Sequence, residues 1–474
     1  MQSHSPHACD SHDHRHGEGH GHGERHGHGH GHMVHEPPAE TLAAYRQAYD
    51  QAQPAAGGKV VTVELDARET EWEFVPGRPT RAWGYNGEVP GPVIEGNVGD
   101  VLEVHLHNSL PEPTVIHWHG LRLAPPMDGT ENVQRPVAPG QSFTYRFTLH
   151  DAGTFWYHSH VNETVQLERG LYGALIVRGP DEPRLDGERV LVLDDVTLDS
   201  AGQIAPPGGR SELYYGRQGS VRLVNGRQEP GLTMAAGQIE RWRIVNASSA
   251  RYVRLSIGGA PFRILGTDGG LIDAPAAANE VLLAPADRVD LAVGPFAEGE
   301  TLRIESLRND PDPGGGAEHE GLATLRVGAA AASRAVIPET LRRIEPLVTG
   351  PVAPTREVRF GMNVSPDGGV EFVINREAHH RADPVRLGEL QVWDIVNETP
   401  VDHPFHLHGY FFQVLEVNGR PPEFRSWEDT VNVPAEGRVR IAWMPDERPG
   451  EWMYHCHILQ HHAGGMMAHF AVVP

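Results

Sequence analysis

Cysteine is nearly absent: Cys9 and Cys456 are the only two in 474 residues. Two cysteines cannot build a disulfide framework, which excludes a cysteine-stapled secreted scaffold. No run of about 18 apolar residues occurs, so no membrane span is expected. No apolar stretch follows the N-terminus or Met33, so no secretory signal is visible. Positive charge is also short. Lys and Arg number 40 against 63 Asp and Glu, a formal net charge of −23. Such a surface repels polyphosphate, which argues against nucleic acid as a partner. Methionines number nine, and Met127, Met234, Met362, Met444 and Met453 form no cluster.

What the chain does have is glycine, proline and histidine. The 54 Gly and 39 Pro make up about a fifth of it and favour many turns over long helices. Histidine is in excess at 30, and twelve of these lie between His4 and His35, mostly alternating with glycine. That segment carries no core-forming residues and is expected to be disordered. Its imidazoles can collect additional metal ions, the plain alternative being a solvated tail. Residues Ala39 to Gln53 are expected to be helical, with Leu42, Tyr45 and Tyr49 on one face, until Pro54 and Gly57-Gly58 break the chain. From Val60 onward short β-branched and aromatic runs alternate with Gly/Pro turns, the pattern of β-sandwiches.

Three segments repeat. Gly99 to Asn108 (GDVLEVHLHN), Gly237 to Asn246 (GQIERWRIVN) and Gly388 to Asn397 (GELQVWDIVN) each run from Gly to Asn through an alternating strand pattern. They start roughly 140–150 residues apart, one domain length, which implies three related sandwiches. A second repeat occurs only in the outer units, where Gly153 to His160 (GTFWYHSH) matches Gly450 to His457 (GEWMYHCH). The middle unit lacks it and reads as fold without chemistry. Boundaries are expected near Pro180 to Gly187 and in the Ala-rich stretch Gly328 to Ser333, followed by a Pro-spaced segment to Pro354.

Four clusters hold the remaining pattern: His117/His119, His158/His160, His403/His406/His408, and His455/Cys456/His457 with His461 and Met466. In a strand, residues two apart share a face, so each His-x-His pair offers two imidazoles about 6–7 Å apart on one side. Two such strands facing each other can cage a group of metal ions. The residue between the pair points the other way, and in the last cluster it is Cys456. A thiolate with two imidazoles and a distant thioether is the ligand set of a blue-copper site. Cys456, His461 and Met466, with His403 as second imidazole, supply it.

At this point the chain, from roughly Val60 to Pro474, resembles the multicopper oxidases of the three-domain laccase type. The resemblance implies an all-β fold of three cupredoxin-like Greek-key sandwiches. They are expected over 58–182, 183–335 and 354–474, after a His-rich tail and short helix in 1–57. It implies four coppers per chain. His403, Cys456 and His461 would hold type 1, with Met466 axial. His117 and His406 would hold type 2. His119, His158, His160, His408, His455 and His457 would hold the type 3 pair. Ser159 stands where Cys456 stands in the other copy and cannot replace a thiolate, so one type 1 site is expected. The implied reaction oxidises small reductants one electron at a time and reduces dioxygen to water. Phenols and aromatic amines are the expected reductants, and Cu(I) turnover in copper homeostasis is the alternative. The scattered methionines disfavour the latter. A ligand-free scaffold of the same fold is opposed by the complete set of ten histidines and Cys456.

Dioxygen reduction also needs protons. Asp128, nine residues after His119, is the candidate acid, against a plain Asp-Gly turn with Gly129. Directly after His461 the resemblance leads one to expect a second acid, but His462 stands there. His105 and His107 have pair spacing but no counterpart in the other repeat copies, and read as solvent-facing, as do His150, His319, His379, His380 and His469. Relatives are usually periplasmic or extracellular, while the absence of a visible signal leaves the cytoplasm open. Cys456→Ser is expected to abolish the intense visible band of the copper-loaded protein and its oxidase activity while leaving it folded. Absorption and circular dichroism spectra check both halves, and a retained visible band would refute the role.

Overall fold

The computed structural model describes residues 39–308, 319–366 and 369–474. The expected disordered His-rich tail and its metal binding lie outside the described residues. Helices are few: α1 (Ala39–Gln51), α2 (Glu163–Gln166), α3 (Arg210–Tyr215) and α4 (Leu459–Ala463). None of them is long and apolar enough to cross a membrane.

The three Gly-to-Asn segments do the same structural work three times. Val101–Asn108 runs parallel to Val60–Val75 and antiparallel to Ser142–Thr148. Glu240–Asn246 runs parallel to Gly187–Val196 and antiparallel to Arg288–Val293. Gln391–Asn397 runs parallel to Arg356–Val364 and antiparallel to Arg438–Trp443. The opening glycines Gly99, Gly237 and Gly388 have φ of +92°, +78° and +71°, which a side chain would strain. The closing asparagines are buried and pin the turn after the strand. Each Oδ1 accepts the N–H two residues on, from Leu110, Ser248 or Thr399. Each Nδ2 donates to nearby carbonyls: Glu112 and Val137, Arg251 and Leu283, or Val401 and Val433. The amide thus replaces the water those backbone groups lose.

Each copy stands in its own pair of sheets. Two four-stranded sheets share a core of Leu65, Leu102, Val104, Tyr145 and Phe147 with Trp118, Phe155, Tyr157 and Leu175. A seven-stranded and a five-stranded sheet enclose Trp242, Ile244 and Leu291 with Leu255, Ile304 and Leu325. A five-stranded and a six-stranded sheet enclose Phe360, Trp393, Ile395 and Trp443 with Phe405, Leu407, Tyr454 and Phe470. A further apolar cluster brings Trp156, Leu167 and Tyr172 together with Val192, Leu223 and Val245 and with Leu459, so it spans all three sheet pairs.

Two details differ from the sequence reading. The helix α1 ends at Gln51, not Gln53, and it is docked: Tyr45 donates to the Thr144 carbonyl at 2.8 Å and Tyr49 to Glu103 at 3.1 Å. The strand His319–Ala330 runs into the Ala-rich stretch where a boundary was expected, because Ala236 still pairs with Ala330. Asn246→Ala strips partners from two buried carbonyls and an N–H. It is expected to lower unfolding free energy by about 3 kcal/mol, read by chemical denaturation.

Candidate metal centre

The strand Gly153–His158 pairs with His117–His119, placing His117 opposite His158. The strand Gly450–Cys456 pairs with His403–Leu407, placing His406 opposite His455 and Phe405 opposite Cys456. The alternation argument holds inside His117–His119. The other three His-x-His pairs differ from it: their strands stop at His158, Leu407 and Cys456, so His160, His408 and His457 stand just beyond strand ends. The pairs are brought together by the turn out of the strand, not by one strand face.

Eight imidazoles meet between the first and last sheet pairs, all buried. The rings of His119 and His406 stack at 3.8 Å, and those of His117 and His408 lie 4.1 Å apart. His160 stands 5.1 Å from His408 and 5.6 Å from His455, while His457 stands 5.1 Å from His119 and 5.5 Å from His158. Three of the groups with ligand atoms in mutual reach are His117/His119/His158, His117/His406/His408 and His160/His408/His455.

One ring nitrogen of almost every imidazole is tied outward. The Nδ1–H groups of His117, His158, His406 and His455 donate to the carbonyls of Asp128, Ser159, Asp429 and Cys456 at 2.8–2.9 Å. His408 Nδ1 donates to Asp128 Oδ2 at 2.9 Å, and His160 Nδ1 to Glu163 Oε1 at 2.7 Å. His119 is reversed: its Nε2 reaches Asp429 Oδ1 at 3.0 Å. The remaining atoms, Nε2 of His117, His158, His160 and His406 and Nδ1 of His119, are buried without a hydrogen-bond partner. His408 and His455 point their Nε2 atoms at each other across 2.9 Å. His457 is the exception, with neither nitrogen partnered. Outer hydrogen bonds that select the tautomer and leave the inner lone pair free are how metal-binding histidines are oriented. Orphaned polar atoms at this density are otherwise rare.

Charge agrees. Burial, followed by repulsion from neighbouring imidazoles, holds His117, His119, His408, His455 and His457 well below the usual histidine range, and His158 falls to about 3. These rings are neutral at neutral pH, the form that binds metal. Burial raises the Asp128 carboxyl to about 7 against the pull of His160 and Arg448. Burial also opposes ionisation of Glu163, but His160 and His462 win and hold it well below its usual value.

A second site lies on the far face of the last strand. Cys456 Sγ is 3.4 Å from His403 Nδ1 and 3.7 Å from His461 Nδ1, and those two nitrogens are 3.0 Å apart. A triangle of that size has a centre about 2 Å from each corner, which is metal–ligand reach. His403 Nε2 is tied to Thr399 Oγ1 at 2.7 Å, and His461 Nε2 donates to the Tyr214 carbonyl at 3.0 Å. Burial raises the Cys456 thiol above its ordinary pKa, so a cation is needed to make it a thiolate. Met466 is fully buried in the same core, and its carbonyl accepts from Cys456 N at 3.1 Å. Ser159, in the equivalent place of the first unit, donates to Gln166 Oε1 at 2.5 Å and is used up in a hydrogen-bond network.

The middle unit is not chemically idle, contrary to the sequence reading. Its Arg288 clamps both oxygens of Asp429, and Asp429 in turn holds His119 and His406. Burial opposes ionisation of Asp429, but Arg288 outweighs it and keeps the carboxyl below its usual range. The close group His119/His406/Asp429 is therefore a salt-bridged hydrogen-bond cluster, with the nitrogens facing Asp429 being the outer ones. Asp429, Arg288 and Glu163 carry no repeat or spacing signal, and nothing in the sequence marked them. His105 and His107, by contrast, sit on an outer strand face bonded to Thr144 and Ser142.

Comparison with known proteins gives a consistent picture. Three stretches, residues 66–182, 188–297 and 355–474, match the multicopper oxidase family. The chain is 31% identical to multicopper oxidase MmcO of Mycobacterium tuberculosis, over 91% of each chain. It is 28% identical to the laccase of Bacillus subtilis, covering 82% of this chain and 90% of that one. Its fold is similar to that of a Campylobacter jejuni multicopper oxidase described as a metallo-oxidase, with a TM-score of 0.77 and 32% identity, covering 88% of this chain and 92% of that one.

Asp429→Ala frees the rings of His119 and His406 and leaves Arg288 buried with less countercharge. It is expected to cost about 3–5 kcal/mol of stability and to weaken metal retention about 10- to 100-fold. Thermal denaturation and chelator titration read the two effects separately.

Proposed function

Because the chain belongs to the multicopper oxidase family, a group of copper-dependent oxidases that reduce dioxygen, we propose that it is a laccase-like enzyme acting on phenols and aromatic amines. The observation that carries this is the ring-by-ring pattern of tied outer nitrogens and free inner ones, joined to a separate His403/Cys456/His461 triangle. His403, Cys456, His461 and Met466 would hold a type 1 copper. His117 and His406 would hold type 2, and His119, His158, His160, His408, His455 and His457 the type 3 pair, four coppers in all. The three sandwiches would span 58–182, 183–335 and 354–474. When bound, copper supplies the one-electron redox chemistry that couples oxidation of the reductant to reduction of dioxygen to water.

The protein's own groups do the rest. Outer hydrogen bonds keep each imidazole in the tautomer that presents its lone pair inward. Burial holds the rings other than His160 below the usual histidine range and excludes bulk water, while Glu163 raises His160 against its burial. Asp128, bonded to His408 and close to His117, is placed to hold and deliver a proton at its carboxylate oxygens. On the reductant side, Phe372 stacks on His461 at 4.0 Å, and the outward nitrogen of His461 meets the backbone carbonyl of Tyr214 in α3, whose half-buried ring forms an edge-to-face pair with Tyr215 at 4.6 Å. Those half-buried tyrosines suit an aromatic reductant. Of the scattered methionines, Met127, Met234 and Met453 are buried, which disfavours a thioether site for Cu(I). One observation favours the second reading, a cuprous oxidase in copper tolerance: the twelve histidines between His4 and His35.

Metal analysis with electron paramagnetic resonance tests the site class. About four coppers with type 1 and type 2 signals are expected, and a single copper would overturn it. Turnover of a methoxyphenol and of Cu(I), compared in the full chain and in a chain lacking residues 1–38, tests the reductant. Phenol oxidation should survive the deletion unchanged. Selective loss of Cu(I) turnover would favour the second reading. Asp128→Asn is expected to slow reoxidation of the reduced enzyme by dioxygen about 10²-fold and reduction by phenol far less. Stopped-flow measurement of the two half-reactions checks this.

A further inference from the structure

We propose that Glu163 is a positioning residue that sets the two metal sites against each other, an inference that rests on the copper reading above. Glu163 opens α2, three residues beyond His160, and Asn162 before it turns the chain back with φ of +46°. The carboxylate is buried and uses its two oxygens on two different histidines. Oε1 takes His160 Nδ1 at 2.7 Å, and Oε2 takes His462 Nδ1 at 2.5 Å. The first histidine belongs to the imidazole cage and comes from the first sheet pair. The second stands on α4, next to His461 of the cysteine site, near the C-terminus.

His462 extends the reach of that carboxylate. Its ring stacks on His455 at 4.2 Å with an interplanar angle of 21°, and meets His160 edge-on at 5.2 Å. One carboxylate thus touches the cage directly through His160, touches it again through the ring stacked on His455, and anchors the helix that carries His461. Asp128 orients His408 and His117 and Asp429 orients His119 and His406, but neither bonds to α4. Glu163 is a hydrogen-bonded link between the sites, beside the covalent one through His455, Cys456 and His457.

The chemistry of the side chain makes the role specific. With His160 Nε2 turned to the cage, its Nδ1 must carry the proton and needs an acceptor. A carboxylate accepts from both histidines at once. An amide offers one oxygen, and its NH₂ then confronts a ring N–H or forces His462 into the other tautomer. Glu163→Gln therefore keeps the volume and loses one of the two anchors, and Glu163→Ala loses both. At position 462, glutamine still donates to Glu163, while leucine fills similar space and donates nothing.

The test uses the full-length copper-loaded protein, with metal content and spectra as readouts. Copper retention under chelator titration should fall about 10- to 100-fold in Glu163→Gln, with loss first of the near-ultraviolet absorption of the coupled pair that His160 and His455 would hold. His462→Leu should alter the type 1 hyperfine pattern by moving α4, and His462→Gln should restore it. If Glu163→Gln does not fold, the two position-462 variants carry the test. Wild-type copper stoichiometry and unchanged spectra in Glu163→Gln and His462→Leu would overturn the proposal. Failure of the wild-type protein to hold copper would overturn the reading beneath it instead.

Discussion

The centre of this protein depends on one constraint: an imidazole buried among other imidazoles needs an outer acceptor for its N–H, and every ring of the cage but His457 has one. Each ring can meet that constraint in two tautomers, and the outer acceptor decides between them. Backbone carbonyls of Asp128, Ser159, Asp429 and Cys456 serve four rings, and the carboxylates of Asp128, Glu163 and Asp429 serve three more. The inner lone pairs are left without partners at a cost that metal binding removes. The fold is a device for holding those acceptors still.

That explains why the sandwiches are in contact. The first and last supply the imidazoles, and the middle one supplies rigidity from outside. Arg288 neutralises Asp429, which would otherwise be a buried carboxylate with only imidazoles and the Thr430 hydroxyl beside it. The Tyr214 carbonyl fixes the outward nitrogen of His461. A unit with no metal-binding motif therefore still sets the orientation of ligands in both sites. The shared apolar cluster around Trp156, Val245 and Leu459 keeps these reaches constant.

Much of this was legible in the residues. The Gly-to-Asn repeat marked a glycine at positive φ and an amide-pinned turn, both local demands that only those residue types meet. The His-Cys-His run marked two sites back to back, because alternation sends neighbouring side chains to opposite faces. What misled was the same periodicity carried too far. His160 and His457 stand beyond their strands, and their approach to the cage comes from a turn that no two-residue period describes. The Ala-rich stretch likewise marked a boundary because alanine has no strand preference, while pairing with Ala236 holds its first residues, up to Ala330, in the sheet.

The sequence by itself determined the repeated sandwich, the identity of the histidines and cysteine, and their division into two sites. These follow from residue type and short-range spacing, which local backbone geometry converts directly into direction. Only the tertiary structure decided which acceptor orients which ring. Asp429 and Arg288 are brought to the cage from units far apart in the chain, and Glu163 meets His462 across 299 positions. Such partnerships leave no periodic trace, because they are set by how three finished sandwiches dock and not by any strand or turn within one of them.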